Sequence, residues 1–275
     1  MKHTRRLYAT LAALAMFLIF AYFYTGRADS QKQNAIPKVG VLQLMSHPAL
    51  DQINKGIDDT LKKSGYIDGK NVKIEFQNAQ GDQSNLNSMA QQLTQKKNDL
   101  ILGIATPSAQ ALAKKTKSTP IVVTAVTNLE SAGLVKSDNK PNTNVTGTKD
   151  LGPVDKQVKL LTTLTKNNKP IGVLYNSSEE NSVLQIKMVK KYAKNHNLKL
   201  NIVSVTSTND VASALSGMAD KVSGIYIPTD NLMASSMKTI GKKAQAAKLP
   251  VVTGSIEMAE DGGTATYGIN YNDLG

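Results

Sequence analysis

The chain of 275 residues contains no cysteine. That excludes disulfides, thiolate zinc sites, iron–sulfur clusters, a cysteine nucleophile and any lipid carried on cysteine. Tryptophan is also absent and aromatic residues make up only 5%. So few rings argue against the stacking platforms of nucleic-acid binders, although a net charge of +12 would otherwise suggest them. No nucleic-acid partner is expected. The three histidines, His3, His47 and His196, are too scattered for a metal centre. No G-x-S-x-G, P-loop or G-x-G-x-x-G motif occurs, so the usual marks of an enzyme are missing. No catalytic residue, metal or cofactor is assigned. What remains is an ordinary globular composition, 40% hydrophobic and 20% charged. The length suits two domains of about 100–150 residues each.

The N-terminus carries Lys2, His3, Arg5 and Arg6 ahead of an uncharged apolar run from Leu7 to Tyr24. The run lies between a long signal-peptide core and a short membrane span. Upstream cations keep this end inside and send the following chain out of the cytoplasm. Small residues at a peptidase site are poorly placed, with Arg27 among Thr25, Gly26 and Ala28. The segment therefore reads as an uncleaved helical anchor for an extracellular domain, secreted if the segment is cleaved instead. Polar residues up to Pro37 form a tether.

From Lys38 onward strands and helices alternate. Lys38–Leu44 is a buried strand, and Leu50, Ile53, Ile57 and Leu61 mark one helix face before Gly65 and Gly69. Val72, Ile74 and Phe76 alternate as a strand, followed by a helix through Leu86, Met89 and Leu93. Strand Asp99–Ala105, helix Ser108–Lys117 and strand Pro120–Val126 complete the cycle. After a polar connection, Lys136–Thr143, a second cycle begins with a helix through Val158, Leu161 and Leu164. Strand Pro170–Tyr175, a helix around Ile186, strand Lys199–Val205 and helix Asp210–Met218 follow. Strand Gly224–Ile227, one helix Leu232–Ala247 and strand Pro250–Val252 close it. The last segment, Thr264–Tyr271, reads as a strand, with Asn272–Gly275 opening a helix, and further closing elements are expected to be missing. Repeated βαβ units imply α/β lobes with parallel sheets covered on both faces.

Ligands of such sheets bind beyond the strand carboxyl ends, where helix N-termini point. Three junctions carry suitable polar groups. In Ala105-Thr106-Pro107-Ser108, Thr106 can cap, Pro107 can start the helix and free N–H groups can meet a carboxylate. In Tyr175–Ser182, Ser177 with Glu180 fits a capping box. In Pro228-Thr229-Asp230-Asn231, Asp230 can hold a cation instead of capping. Each alone is slightly better explained as a cap; three over two lobes suggest a cleft. An anion site opposite a carboxylate suits a zwitterion such as an amino acid. The lysine clusters 114–117, 187–194 and 242–243 read as solvated helix faces.

Several motifs resemble a known family. Lys38-Val39-Gly40-Val41, His47-Pro48-Ala49-Leu50-Asp51, Gly65-Tyr66, Asn78-Ala79-Gln80-Gly81-Asp82 and Ala105-Thr106-Pro107-Ser108 belong to this set. So do Asn144-Val145-Thr146-Gly147, Tyr175-Asn176-Ser177-Ser178-Glu179, Pro228-Thr229-Asp230-Asn231 and Tyr271-Asn272-Asp273-Leu274-Gly275. Together they resemble ABC-transporter substrate-binding proteins of the tryptophan/aromatic amino-acid type, from about Lys38 to Gly275. The resemblance implies two doubly wound parallel-sheet lobes joined by hinge strands, as in type I periplasmic binding proteins. It divides the chain into 1–30 (anchor or signal), 31–37 (tether), 38–146 with 253–275 (lobe 1) and 147–252 (lobe 2). Hinges are expected near Asn144–Lys149 and Val252–Ser255, eased by Gly147 and Gly254. The implied ligand is an aromatic amino acid, tryptophan foremost, with an ABC permease and ATPase as partners. Thr106, Pro107 and Ser108 would hold its carboxylate and Asp230 its ammonium. Asn176, Ser177 and Glu179 would contribute from lobe 2, and Ser46, His47 and Thr127 would line lobe 1. A ligand-sensing domain of the same fold is the alternative.

Overall fold

The structure is a computed structural model that describes residues 14–20, 36–165 and 169–275. Residues 14–20 are helical and lie in a unit, Met1–Pro37, distinct from the unit Lys38–Gly275. The remainder of the expected anchor, and most of the tether, lies outside the described residues. Among the described residues no helix is long and apolar enough to cross a membrane.

In the first lobe β1 (Lys38–Gln43) is buried along all but its first residue, as an apolar run flanked by two strands requires. It pairs in parallel with β2 (Lys73–Asn78) on one side and β3 (Leu100–Ile104) on the other. β4 (Ile121–Val126) and β5 (Val145–Lys149) extend the sheet to the order β2-β1-β3-β4-β5. The connecting helices are α1 (Pro48–Lys63), α2 (Gln83–Gln95) and α3 (Thr106–Lys115). Their expected apolar faces are in place: Leu50, Ile53, Leu86, Leu93 and Leu112 are essentially fully buried. Each such side chain contributes about 1.5–3 kcal/mol.

The second lobe repeats the plan. Strands β6 (Ile171–Asn176), β7 (Leu200–Val205), β8 (Ile225–Ile227), β9 (Val251–Thr253) and β10 (Ala265–Thr266) form a parallel sheet in the order β10-β9-β8-β6-β7. In both sheets the second strand lies outside the first, and the third, fourth and fifth follow on the other side. The two lobes thus share one doubly wound topology. Helices α4 (Val154–Leu164) and α5 (Glu180–Asn195) are set between β5 and β7, and α6 (Thr208–Ala219) follows β7. Next come α7 (Asn231–Ser235), α8 (Met237–Ala246) and α9 (Ile256–Asp261). Leu161, Val173 and Tyr226 pack on one side of the sheet and Leu215, Ile225 and Ile240 on the other.

Four details depart from the sequence reading. The helix expected over Leu232–Ala247 is broken at Ser236, which ends α7 with non-helical geometry at ψ 1°. The segment expected as a strand over Thr264–Tyr271 holds only the two residues of β10. Its last residue instead opens α10 (Tyr271–Leu274), which packs on α1. Helix α9 interrupts what was read as lobe 1 after residue 253, and both β9 and β10 belong to the second sheet. β5 belongs wholly to the first sheet, so the chain crosses between lobes at Asp150–Pro153 and returns after Tyr267, not at 147 and 253. Gly254 serves packing there: a Cβ on it would lie 2.3 Å from the Thr229 backbone nitrogen.

The return of α10 to the first lobe depends on Gly56 in α1. A Cβ there would lie 2.3 Å from the Asn272 carbonyl oxygen, a backbone atom that cannot swing aside. In an open helix Gly→Ala stabilises by roughly 1 kcal/mol; here displacement of the backbone costs roughly 1–3 kcal/mol and more than cancels it. Gly56→Ala is therefore expected to lower the urea unfolding midpoint, whereas Gly217→Ala, a helical position with open space, is expected to raise it slightly.

Candidate functional site

The strand order reverses between β1 and β3 in one sheet and between β6 and β8 in the other, and the loops leaving these strands meet across the cleft. Helices α1, α3 and α5, which leave β1, β3 and β6, have no side-chain cap. Their first N–H groups keep their positive ends toward the cleft. By contrast α2, α6, α7, α9 and α10 are capped by Asp82, Ser207, Asp230, Ser255 and Asn270. Two strand ends are also strained. Ala105, ending β3, has φ 78° and Ala125, in β4, has φ 53°, values that alanine rarely adopts and that cluster at functional sites.

The wall from the second lobe is built around two buried carboxylates. Glu179 Oε1 accepts from Asn176 Nδ2 at 3.0 Å and from the Leu232 N–H at 3.3 Å. Its Oε2 accepts from Asn181 Nδ2 at 3.1 Å, Asn231 Nδ2 at 2.5 Å and the Asn231 N–H at 3.4 Å. Asp230 accepts from the Met233 N–H at 2.9 Å, the Asn176 N–H at 2.5 Å and Ser182 Oγ at 2.7 Å. Burial, and then the charge of Glu179, pushes the Asp230 carboxyl well above the ordinary carboxylate range, while those three donors pull it back.

The first lobe contributes His47, positioned by a buried glutamine at the end of β1. Gln43 Nε2 donates to the Met45 carbonyl at 2.9 Å and to Asp51 Oδ1 at 2.8 Å, fixing the turn between β1 and α1. His47 Nε2 then reaches Asn231 Oδ1 across the cleft at 3.2 Å, a buried contact between lobes. Burial lowers the His47 pKa, against the pull of Asn231, Glu179, Asp51 and Asp261. Asp150, on the first crossing, accepts from Tyr271 Oη, at the end of the second, at 2.7 Å. Burial raises its pKa, and the Tyr271 and Thr127 hydroxyls draw it down.

Two cavities share this wall. The inner one, about 20 Å³, is lined by His47, Ala125, Thr127, Asp150, Asn181 and Asp230 among others; it has room for one small polar group. The outer one, about 590 Å³, is bordered by Leu44, Met45, Pro107, Ala111, Glu179 and Leu232 among others, within the range of small-molecule sites. His47 Nδ1, Asp150 Oδ1 and Asn181 Oδ1 are buried with no hydrogen-bond partner, and all three residues line the inner cavity. Thr106 Oγ1 and Ser108 Oγ at the start of α3 are likewise unpartnered.

Of the residues read from sequence, His47, Thr127 and Asp230 line the inner cavity, and Pro107, Asn176 and Glu179 the outer. Thr106 and Ser108 are buried beside them in the first turn of α3 without lining either. Ser46 and Ser177 are exposed; Ser46 bonds Asn78 at 2.9 Å. The expected capping box of Ser177 and Glu180 does not form, because the helix starts two residues later with Glu179 at its cap position. Asp230, expected to hold a cation instead of capping, does cap α7. Sequence reasoning missed Asp150, Asn181, Asn231 and Tyr271. The Tyr-Asn-Asp-Leu-Gly and Thr-Asp-Asn motifs marked the last two, but nothing local signals Asp150.

Residues 38–275 match the family described as ABC transporter substrate binding protein. The chain belongs to this family. It is 43% identical over 249 residues to a tyrosine-binding protein of Clostridioides difficile, covering 90% of this chain and 71% of that protein. A structure of an ABC domain in complex with L-Trp from Streptococcus pneumoniae is 45% identical with a TM-score of 0.83. The ligand-free, open structure of a substrate-binding protein with adhesive properties from Clostridium difficile is 44% identical with a TM-score of 0.62. Both matches cover 87% of this chain and 81% of the other. Members of the family bind solutes outside the cytoplasm.

Because the folded state holds the Asp230 proton more tightly than an unfolded chain, this group supports folding below about pH 4, its unfolded value, and loses that contribution as pH rises through its raised folded value. A ¹³C NMR titration is expected to place the Asp230 midpoint well above those of exposed carboxyls. Ser182→Ala, which removes a donor to the ionised form, is expected to raise it further.

Proposed function

We propose that the chain captures an aromatic amino acid between its lobes as the solute receptor of an ABC importer, outside the cytoplasm. The observation that carries this reading is the convergence of three buried, unpartnered polar atoms, His47 Nδ1, Asp150 Oδ1 and Asn181 Oδ1, on one cavity between lobes. Buried polar atoms are normally satisfied, and a cavity with room for one small group beside the Asp150 carboxylate suits an ammonium. The roles expected from sequence shift accordingly. Asp150 takes the ammonium contact, while Asp230, with three donors from its own lobe, holds the wall. The ligand carboxylate meets the uncapped start of α3, with the Thr106 and Ser108 hydroxyls nearby. The side chain occupies the outer cavity against Leu44, Met45, Pro107, Ala111 and Leu232. Relatives named for tyrosine binding and crystallised with L-Trp support the aromatic class. In this reading the ligand is released unchanged, and closure is the event that a permease with its ATPase would read. The apolar run Leu7–Tyr24, with cations before it, supports membrane attachment of the N-terminus.

Isothermal calorimetry with L-tyrosine and L-tryptophan is expected to give micromolar or tighter binding for at least one. Asp150→Ala is expected to weaken it about a hundredfold or more, since one partner of a buried charge pair is removed. Absence of heat with both amino acids, on a protein shown folded by circular dichroism, would refute the reading.

A further inference from the structure

Glu179 is surrounded by donors. Two side-chain amides, Asn231 Nδ2 at 2.5 Å and Asn181 Nδ2 at 3.1 Å, share its Oε2 with the Asn231 N–H, and Asn176 Nδ2 and the Leu232 N–H reach Oε1. An ionised carboxylate only accepts hydrogen bonds. Each amide must therefore turn its nitrogen toward Glu179 and its oxygen away, which settles two orientations that an isolated Asn leaves open.

The consequences run along two paths. Asn181 also donates to the Thr229 carbonyl at 3.0 Å, so its nitrogen is committed and Oδ1 faces the inner cavity as an acceptor. Asn231 presents Oδ1 to His47 Nε2 at 3.2 Å, and that contact is a hydrogen bond only if Nε2 carries the proton. A neutral imidazole has one N–H, so Nδ1 is then a bare lone pair. Nδ1 has no protein partner, and His47 is 7% exposed and lines the same cavity as Asn181 and Asp150, which are 3% and 4% exposed.

We infer that Glu179 is a positioning residue that sets the polarity of the inner cavity: through Asn181 directly, and through Asn231 and the His47 tautomer, it turns His47 Nδ1, Asn181 Oδ1 and Asp150 Oδ1 into a three-acceptor cradle for the N–H groups of a primary ammonium. This deepens the amino-acid reading above and rests on it. The burial that lowers the His47 pKa supports the neutral ring on which the relay depends. Three acceptors match the three N–H bonds of an ammonium. The cradle discriminates against ligands that carry a hydroxyl, a carbonyl or nothing in place of the amine, because the buried acceptors would then be left unmatched.

Two measurements on the full chain test this. Long-range ¹H–¹⁵N correlation spectra, with His47 assigned by comparison with His47→Gln, are expected to show the Nε2–H tautomer with Nδ1 unprotonated. The Nδ1–H tautomer, or a charged ring at neutral pH, overturns the relay whatever the protein binds. In calorimetry, the preference of the wild type for L-tyrosine over 3-(4-hydroxyphenyl)propionate, and for L-tryptophan over indole-3-propionate, is expected to shrink roughly tenfold or more in Glu179→Gln. The glutamine nitrogen would force one of the two asparagines to turn over. Equal loss for the amine and its des-amino analogue would mean that Glu179 only holds the fold, and would overturn the proposal. Failure of the wild type to bind either amino acid counts against the aromatic reading, and the spectra still decide the relay.

Discussion

A buried carboxylate in the second lobe governs the cleft. An ionised Glu179 removed from water costs several kcal/mol unless its oxygens are fully engaged. Engagement comes from five N–H groups carried by the last residue of β6, the first turn of α5 and the start of α7. The start of α7 lies about fifty residues beyond the other two segments, and apolar packing of Leu232 and Met233 with Leu174 brings it to them. The requirement to satisfy Glu179 then fixes how their amides face, leaving Asn181 Oδ1 unpartnered and Asn231 Oδ1 to meet His47.

The opposite wall follows a different logic. In the first lobe the positive ends of α1 and α3 are left without side-chain caps, and strained alanines end β3 and interrupt β4. A fold selected for stability alone would cap those helices and relax those alanines. The neighbouring α2 and α6, which leave the outer strands, are capped in the ordinary way. Capping alone does not trace the cleft, since α4 and α8 also lack side-chain caps and α7 and α9, which line the inner cavity, have them. The two walls meet at the crossings, where Tyr271 donates to Asp150 at 2.7 Å and Gln157 donates to the Tyr267 carbonyl at 2.8 Å. A ligand contact at Asp150 would thus be felt at the segments about which the lobes must turn, a natural arrangement for a receptor whose output is its own closure.

Much of this was legible from residues alone. The period of apolar positions located every helix from α1 to α6, and the junction motifs Ala-Thr-Pro-Ser and Pro-Thr-Asp-Asn lie at the rim of the cleft. The errors have physical causes. Ser177 and Glu180 have the spacing of a capping box, but Glu179 is drawn inward by five donors, the helix starts beyond Ser177, and that serine is left exposed. Asp230 is both a capping residue and a cleft residue, and only the positions of Ser182 and the Asn176 N–H show that its oxygens are occupied. The helix expected over Leu232–Ala247 is broken at Ser236, where local propensity gives no warning.

The sequence by itself determined the two α/β lobes, the strand-end placement of the polar loops and the family, because periodicity, turn residues and short motifs are local properties. Only the tertiary structure decided which polar atoms are spoken for and which are free. Asp150 is an unremarkable residue in a connecting segment until Tyr271, from the far end of the chain, meets it. Asn231 becomes significant only when Glu179 takes its nitrogen and His47 its oxygen. Hydrogen-bond satisfaction is a property of groups brought together by folding, and no reading along the chain can count partners that arrive from elsewhere.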